Sequence, residues 1–255
     1  MPNNNNTITF IGNGNMALSL ALGLKDSFNI EVVGRSNEKL DNFEKKLGKS
    51  IKKSLLKGFN IEGKNIFLCV KPANTQEVGK LLGGQASTLY SVLAGTSLET
   101  LSLHFDAHSY VRAMPNLAAT TLNSMTTLCG DENSKDSAIS LFNAIGTTLW
   151  VGSEKELDIA TALAGSGPAY LSLIAEALTD GAVKQGLKRV DAMTLMRGLF
   201  AGFGSVIQDT HPALLKDGVM SPGGTTAAGY SALEDGGVRA SCINAIEKAY
   251  AVTKK

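Results

Sequence analysis

The sequence predicts an α/β protein of two domains, with a mostly parallel sheet in the N-terminal part and helices alone in the C-terminal part. Short β-branched apolar segments alternate with helical segments as far as residue 151, which is typical of a parallel sheet whose strands are joined by helices. From residue 152 onward the apolar residues follow helical spacing and no segment has the pattern of a strand. We therefore expect domains at residues 1–151 and 152–255, with the boundary near Gly152.

Composition argues against several classes of function. The chain has 255 residues, of which 44% are hydrophobic and 18% are charged, so it can bury a sizeable core. A formal net charge of +1 gives no general attraction to nucleic acid or to a membrane surface, and we expect neither partner. The polar lead at residues 1–6 has no apolar signal segment behind it, and the apolar runs are of strand length, too short to cross a bilayer.

The cysteines and histidines indicate a reducing compartment and no metal site. Cys69, Cys129 and Cys242 lie far apart without a C-x-x-C pair, which is typical of reduced thiols in the cytoplasm. The three histidines form no metal-ligand set with these cysteines. We therefore expect a cytoplasmic protein that holds no metal ion.

The first predicted strand, residues 7–11, leads into a glycine-rich turn and then into a helix with leucines at helical spacing. The turn fits the pattern G-x-G-x-x-A. In this pattern the first glycine makes the turn, the second lets a pyrophosphate approach the backbone, and the small third residue lets the helix pack on the strand. A dinucleotide site of the Rossmann type is therefore predicted at this turn. Its residues are Gly12, Asn13, Gly14, Asn15 and Met16.

The end of the second predicted strand, residues 30–33, favours one form of the cofactor. An acidic side chain at this point would bind the adenosine ribose of NADH, but the strand is followed by Gly34, Arg35 and Ser36. Arg35 can pair with a 2′-phosphate, and Ser36 can donate a hydrogen bond to it. We therefore expect NADPH as the cofactor, with NADH as the alternative.

Three further predicted strands end beside the same crevice, because the carboxyl ends of parallel strands line the ligand site of an open sheet. These strands cover residues 65–70, 89–93 and 110–113. Cofactor contacts are predicted at Val70, Lys71, Pro72, Ala94, Gly95 and Asn116. The pattern also predicts helices at 37–47, 75–82, 98–103 and 134–145 and strands at 124–129 and 147–151, and it leaves 51–63 ambiguous.

The C-terminal part has the pattern of a series of helices rich in alanine and glycine. They cover residues 154–164, 170–185, 191–207 and 233–251, with a short helix that begins at Pro212 and a break or kink at 165–168. Small residues let helices pack closely, but each helix then buries little area. Interleaving the helices of two copies would bury much more, so we expect a homodimer.

The stretch from Ser221 to Tyr230 is where we expect the chemistry. Pro222 suits the beginning of a helix, and Ser221 can cap that helix. Glycines let a ligand approach the backbone, and the free N–H groups at a helix N-terminus favour a negative charge. We therefore expect a substrate carboxylate to bind here. The predicted binding residues are Ser221, Gly223, Gly224, Thr225 and Thr226.

Several motifs together resemble pyrroline-5-carboxylate reductase over nearly the whole chain and in the family's order. They are residues 10–16, 70–72, 112–116, 165–170, 180–187 and 211–247. The nucleotide motif alone is shared with many reductases. The combination of Ser221–Thr226 with Gly165–Tyr170 is far more specific to this family.

The resemblance implies an N-terminal Rossmann domain that binds NAD(P)H and a C-terminal helical dimerisation domain. The implied reaction is hydride transfer to L-1-pyrroline-5-carboxylate, which gives L-proline. The resemblance also implies that Ser221–Thr226 holds the substrate carboxylate and that Thr226 reaches the ring nitrogen, which makes it the candidate catalytic residue. A homodimer is implied, with a decamer of dimers as a larger alternative.

Two positions depart from the family's pattern, and two other functions stay open. Gly218 stands where the family often has asparagine, and Leu117-Ala118 stands where it often has Thr-Pro. Both departures concern substrate positioning rather than the type of reaction. The alternative functions are another small NADP-linked reductase of keto or hydroxy acids, for which Lys184 would be the catalytic residue, and a non-catalytic NADPH-binding sensor.

Overall fold

The computed structural model of the protein describes residues 6–253, so most of the polar lead lies outside the described residues. The strands are β1 Thr7–Ile11, β2 Asn29–Gly34, β3 Lys52–Leu55, β4 Phe59–Asn60, β5 Asn65–Leu68, β6 Leu82–Gly83, β7 Ala86–Ser91, β8 Ala107–Met114, β9 Ser124–Gly130 and β10 Gly146–Trp150. The α-helices are α1 Asn15–Leu24, α2 Asn37–Leu47, α3 Thr75–Gly79, α4 Leu98–His104, α5 Lys135–Asn143, α6 Glu154–Ala160, α7 Gly167–Lys184, α8 Arg189–Val206, α9 Pro212–Val219, α10 Thr225–Asp235 and α11 Val238–Thr253.

Eight strands form one sheet in the order β10-β9-β8-β7-β5-β1-β2-β3. β1 lies in the interior of the sheet and pairs in parallel with β2 on one side and with β5 on the other. The chain therefore reverses its direction of travel across the sheet at β1, and ligands bind outside the carboxyl ends of the strands at such a reversal. The predicted mostly parallel sheet is confirmed, with one difference: β9 is antiparallel to β8, and β10 follows β9.

Two segments differ from the prediction for local reasons. The ambiguous region 51–63 contains β3, which extends the sheet, and β4, which pairs with β6 in a separate two-stranded ribbon. The predicted helix at 75–82 is too long, because α3 ends at Gly79 and Leu82 joins β6. A Cβ at Gly79 would lie 2.2 Å from the carbonyl oxygen of His104, so the close approach of α3 to the end of α4 requires glycine.

Alternate residues of the strands face apolar clusters on opposite sides of the sheet. On one side Phe10, Phe67 and Tyr90 stack, with ring centroids 5.1 Å and 5.3 Å apart along this row, and Phe142 of α5 packs against them. On the other side Ile66 belongs to a second buried cluster that includes residues of α3 and α4. Burial on both faces fixes the positions of the strand ends, where the predicted site lies.

The described residues divide into two compact units. The first contains the residues through Ser166 together with those from Ala249 onward, and the second contains Gly167–Lys248. Helix α6 therefore packs with the sheet, although it follows the predicted boundary near Gly152. The functional division at 151/152 stays a prediction.

The predicted break or kink at 165–168 takes the form of a π-helical turn, Thr161–Gly165, between α6 and α7. Pro168 is the second residue of α7, where the missing N–H costs no intrahelical hydrogen bond. The helical stretch Glu154–Lys184 is 31 residues long, and by length and composition it could cross a membrane. Of its most apolar 18 residues, 11% are buried inside the protein. Our expectation that every apolar segment is too short to span a bilayer is therefore wrong.

The helices of the second unit expose many large apolar side chains. The predicted final helix at 233–251 is divided, because Gly237 has φ +70° and separates α10 from α11. Exposed apolar side chains on α7 to α10 include Leu171, Leu173, Leu195, Leu199, Phe203, Leu214 and Leu233. Large apolar surface of this kind marks an interaction face.

Candidate functional site

A cleft of about 280 Å³ lies beyond the carboxyl ends of β1, β2 and β5. This is the place at which a doubly wound sheet binds a dinucleotide. Six of the predicted cofactor residues line the cleft: Gly12, Asn13, Gly14, Arg35, Val70 and Lys71. Much of the remaining lining is apolar, with Ile11, Val33, Leu56 and Val78.

The two glycines of the turn have different roles. Gly12 has φ +111°, and a Cβ there would lie 2.5 Å from the carbonyl oxygen of Cys69, so the turn and the chain after β5 can approach each other only with glycine. Gly14 precedes α1, and nothing lies within 4 Å of the position its Cβ would occupy. The first amide bonded within this helix is that of Leu18, which donates to the carbonyl oxygen of Gly14 at 3.0 Å, and no side chain caps the helix. The cradle and these amides fit a pyrophosphate.

Arg35 is exposed at the end of β2, and its Nη2 pairs with Oε2 of Glu77 at 3.1 Å. An exposed pair of this kind is weak, so the guanidinium can exchange the carboxylate for a phosphate at little cost. Ser36 caps α2 by accepting a hydrogen bond from the Lys39 amide at 3.4 Å. Lys39 itself lines the cleft and was not predicted, although its position four residues after Arg35 could have indicated it.

The other predicted cofactor residues lie outside the lining of this cleft. Asn15 borders an adjoining hollow beside α2, and Met16 is partly buried against the core. Pro72 begins a short 3-10 turn after β5. Ala94 and Gly95 form an exposed turn after β7, in which Gly95 has φ +67°.

Asn116 follows β8, and both polar atoms of its side chain are already hydrogen-bonded. Its Oδ1 accepts from the Ala118 amide at 3.0 Å, and its Nδ2 donates to the Ala164 carbonyl oxygen at 3.2 Å. The backbone amide of Asn116 donates to the hydroxyl of Ser124 at 3.1 Å. The side chain is thus held in one orientation between β8 and the π-helical turn.

The glycine–threonine segment joins α9 to α10 in the second unit. Gly223 has φ +71°, and the Gly224 amide donates to the Ser221 carbonyl oxygen at 3.0 Å, so residues 221–224 form a tight turn. Helix α10 begins only at Thr225, and Gly224 is its N-cap without a side-chain hydrogen bond. The prediction that Ser221 caps a helix beginning at Pro222 is therefore wrong.

The helix N-terminus nevertheless has the properties predicted for an anion site. The first intrahelical bond of α10 runs from the Ala228 amide to the Gly224 carbonyl oxygen at 3.2 Å, so the amides of Thr225 and Thr226 precede the helical ladder. Both threonines and Ser221 are exposed. Uncapped amides and the positive end of the helix dipole favour a carboxylate here.

A charged cluster that sequence reasoning missed lies one turn further along α10. Tyr230 donates to Oε1 of Glu234 at 2.5 Å, and Arg239 bonds both of these residues. Hydrogen bonds from Arg239 and then Tyr230 lower the pKa of Glu234 to about 2. Lys216 of α9 lies 5.4 Å from the centre of the Tyr230 ring. This contact spans the 221–224 turn and joins α9 to α10.

A mostly parallel sheet with a glycine-lined cleft at its point of reversal defines a dinucleotide-binding protein of the Rossmann type. Residues 7–95 match the family described as NADP oxidoreductase, coenzyme F420-dependent. Residues 154–255 match the family described as pyrroline-5-carboxylate reductase dimerisation.

Curated relatives and solved structures agree with these matches. Pyrroline-5-carboxylate reductase of Helicobacter pylori strain J99 is 32% identical over 93% of this chain and 95% of its own length, and the Synechocystis enzyme is 40% identical over 72% of each. The Streptococcus pyogenes structure has a TM-score of 0.83 at 29% identity, covering 97% of this chain and 98% of its own. The Plasmodium falciparum structure, solved with NADP bound, has a TM-score of 0.80 at 27% identity, with the same coverage.

The chain belongs to the pyrroline-5-carboxylate reductase family. It is an NAD(P)H-dependent oxidoreductase of proline biosynthesis, and the predicted fold, with its C-terminal helical dimerisation region, is confirmed.

Proposed function

We propose that the protein reduces L-1-pyrroline-5-carboxylate to L-proline with NADPH, using Ser221–Thr226 to hold the substrate carboxylate. The uncapped N-terminus of α10 is the observation that carries this assignment. Most of the segment is exposed, and its two glycines permit backbone angles that other residues disfavour. Its hydroxyl groups and backbone amides supply hydrogen-bond donors. A carboxylate is the part of the substrate that such a site recognises.

The cofactor residues act by position and charge. The amides after Gly14 hold the pyrophosphate, and the apolar lining of the cleft covers the adenosine moiety. Arg35 and Lys39 place two positive charges where a 2′-phosphate would lie, and the residues directly after β2, Arg35 and Ser36, supply no carboxylate to bind a free ribose hydroxyl. These charges support NADPH as the preferred cofactor over NADH.

Reduction of the cyclic imine adds a hydride to the imine carbon and a proton, which the solvent supplies at this exposed segment, to the ring nitrogen. The bound NADPH supplies the hydride. The Thr226 hydroxyl donates a hydrogen bond toward the ring nitrogen and positions it, while the amides of Thr225 and Thr226 hold the carboxylate. The Gly224 amide already donates to the Ser221 carbonyl oxygen, so Gly224 contributes by its backbone conformation. A threonine is a weak acid, so this role is positioning more than proton transfer.

The second unit supports a homodimer as the working assembly. Residues 154–255 match a dimerisation family, and the same residues expose large apolar side chains. A second copy of the chain would cover this surface, including the apolar length of Glu154–Lys184, and no membrane is needed to explain it. A decamer of dimers is the larger alternative. The three free cysteines, of which Cys129 is buried, support a cytoplasmic location.

The proposal is tested by the oxidation of NADPH with purified protein and three classes of substrate. We expect turnover with L-1-pyrroline-5-carboxylate and none with simple keto or hydroxy acids. Lys184, the residue that a keto-acid reductase would use, is the exposed last residue of α7. NADPH binding without turnover of any substrate would instead identify a sensor. Sedimentation at micromolar concentration tests the dimer, and a monomer would contradict it.

A further inference from the structure

A buried arginine of β8 is paired with two carboxylates of α6. The side chain of Arg112, in β8, is 2% exposed. Its Nη1 bonds Oε1 of Glu154 at 2.9 Å, and its Nη2 bonds Oδ1 of Asp158 at 2.8 Å. A buried guanidinium needs such partners, because a charge that is left unpaired in the core is strongly destabilising. The two carboxylates of α6 therefore bind β8 to this helix.

Glu154 makes a second contact, which is not needed to neutralise the charge of Arg112. The same Oε1 accepts a hydrogen bond from the backbone amide of Leu98 at 2.9 Å. Leu98 begins α4, directly after the exposed turn that contains Ala94 and Gly95. One carboxylate oxygen thus joins the chain after β7 to the strand β8.

The π-helical turn after α6 makes a further hydrogen bond, to the segment after β8. Its Ala164 carbonyl oxygen accepts from Nδ2 of Asn116, which follows β8. A π-helical turn within an α-helix often lies at a functional site. Helix α6 and this turn therefore hold two segments, 94–98 and 112–116, whose residues Ala94, Gly95 and Asn116 are predicted cofactor contacts. The small residues Ala94 and Gly95 leave room for the nicotinamide ring.

We propose that Glu154 is a positioning residue that sets the spacing of these two segments for the nicotinamide half of the cofactor. The inference rests on the proposed cofactor site. The adenosine half is served by other segments, since Gly14 lies in the turn between β1 and α1, Arg35 follows β2, and Lys39 lies in α2. Loss of Glu154 should consequently affect one end of the cofactor and spare the other.

The test compares two ligands by calorimetric titration of the full-length protein. One ligand is NADPH, and the other is 2′-phospho-ADP-ribose, which lacks the nicotinamide ring. We expect Glu154→Ala to weaken NADPH binding about five- to tenfold, the effect of losing one hydrogen bond of ordinary strength, and to change the fragment's affinity less than twofold. Glu154→Gln keeps an acceptor oxygen for the Leu98 amide, so it should recover most of the NADPH affinity.

Steady-state kinetics supply a second readout. In Glu154→Ala the kcat for the pyrroline substrate should fall together with the NADPH affinity, because a misplaced ring slows transfer as well as binding. Glu99→Ala is the matched control, since Glu99 is an exposed glutamate in the first turn of α4 and lies next to Leu98. It should leave both affinities within twofold of the wild type.

Two results would overturn the inference. Equal losses for NADPH and the fragment in Glu154→Ala would show a general structural role, and unchanged NADPH affinity in the same variant would show no role at all. Failure of the proposed function looks different, because the wild-type protein itself would then bind NADPH without oxidising it in the presence of the pyrroline substrate.

Discussion

Replacing Gly14 with alanine separates the role of the glycine turn in binding from its role in folding. The position where the Cβ would be added is empty to 4 Å, and α1 has no side-chain cap that the change would remove. The fold should therefore lose no more than about 1 kcal/mol, the usual difference between glycine and alanine at a helix N-cap. The new methyl group occupies the space through which the pyrophosphate approaches the backbone, so NADPH should bind at least about tenfold more weakly.

Gly12→Ala is the matched variant, in which we expect the free energy of unfolding to fall. Its Cβ would lie 2.5 Å from the Cys69 carbonyl oxygen, where ordinary contact begins at 3.4 Å, and the φ of +111° adds backbone strain. We expect a loss of about 3 kcal/mol from the free energy of unfolding, from strain and overpacking together. For a chain of this size, that loss lowers Tm by roughly 6–12 °C.

The assay pairs thermal unfolding with calorimetric NADPH titration for the two variants. Gly14→Ala should keep the wild-type Tm within a few degrees, an expected change of about 2–4 °C per kcal/mol, and should lose affinity. Gly12→Ala should show the large fall in Tm. Wild-type affinity in Gly14→Ala, or a fall in its Tm as large as that of Gly12→Ala, would refute the assignment of this turn to the pyrophosphate.

Three further variants test other parts of the account. Arg35→Ala should weaken NADPH at least about tenfold more than NADH, because only the 2′-phosphate is lost as a partner; equal losses in titrations of both cofactors would contradict this. Thr226→Ala should lower kcat roughly ten- to a hundredfold, while Ser231→Ala, an exposed hydroxyl further along α10, should not; unchanged kinetics in Thr226→Ala would remove it from the mechanism. Glu31→Gln should destabilise the fold at neutral pH by about 1–3 kcal/mol, measured by denaturant unfolding. Burial raises the pKa of Glu31, but Lys52 and Lys64 lower it further, to below its ordinary value of 4.5. The advantage of the wild type should therefore be complete above about pH 4.5 and shrink as the pH falls below it; an advantage that grows in acid would contradict the ion pairing.

The parts of the fold that depend on local chemistry could be predicted from the sequence. The turn at Gly12 and Gly14 follows from spacing between a strand and a helix, and the structure places it on the predicted cleft. The switch to helices after residue 151 follows from periodicity alone. The direction of β9 could not be predicted, because a strand's orientation depends on where its neighbours lie and not on its own residues.

The errors in the second unit have a common cause. Ser221 and Pro222 have the composition of a helix start, but Gly223 takes φ +71° and delays the helix until Thr225. The helix predicted from residue 170 begins earlier, at Gly167, because proline is tolerated at Pro168 in the first turn of α7. In each case one or two backbone angles decide the boundary, and residue type constrains those angles only weakly.

Two of the residues that the sequence missed, Glu154 and Glu77, act through long-range contacts. Glu154 lies 42 residues from Arg112 and 56 from Leu98, and Glu77 lies 42 residues from Arg35. No spacing rule joins such positions. Lys39 is the exception, since it lies one helical turn after Arg35 and on the same side of the cleft.

The central claim is that the N-terminus of α10 binds the carboxylate of the substrate. It is tested most directly by a crystal structure of the protein with NADP⁺ and L-proline. We predict that the proline carboxylate lies within hydrogen-bond distance of the backbone amides of Thr225 and Thr226, with the ring nitrogen beside the Thr226 hydroxyl. Proline bound at another place, with residues 221–226 free of it, would contradict the claim.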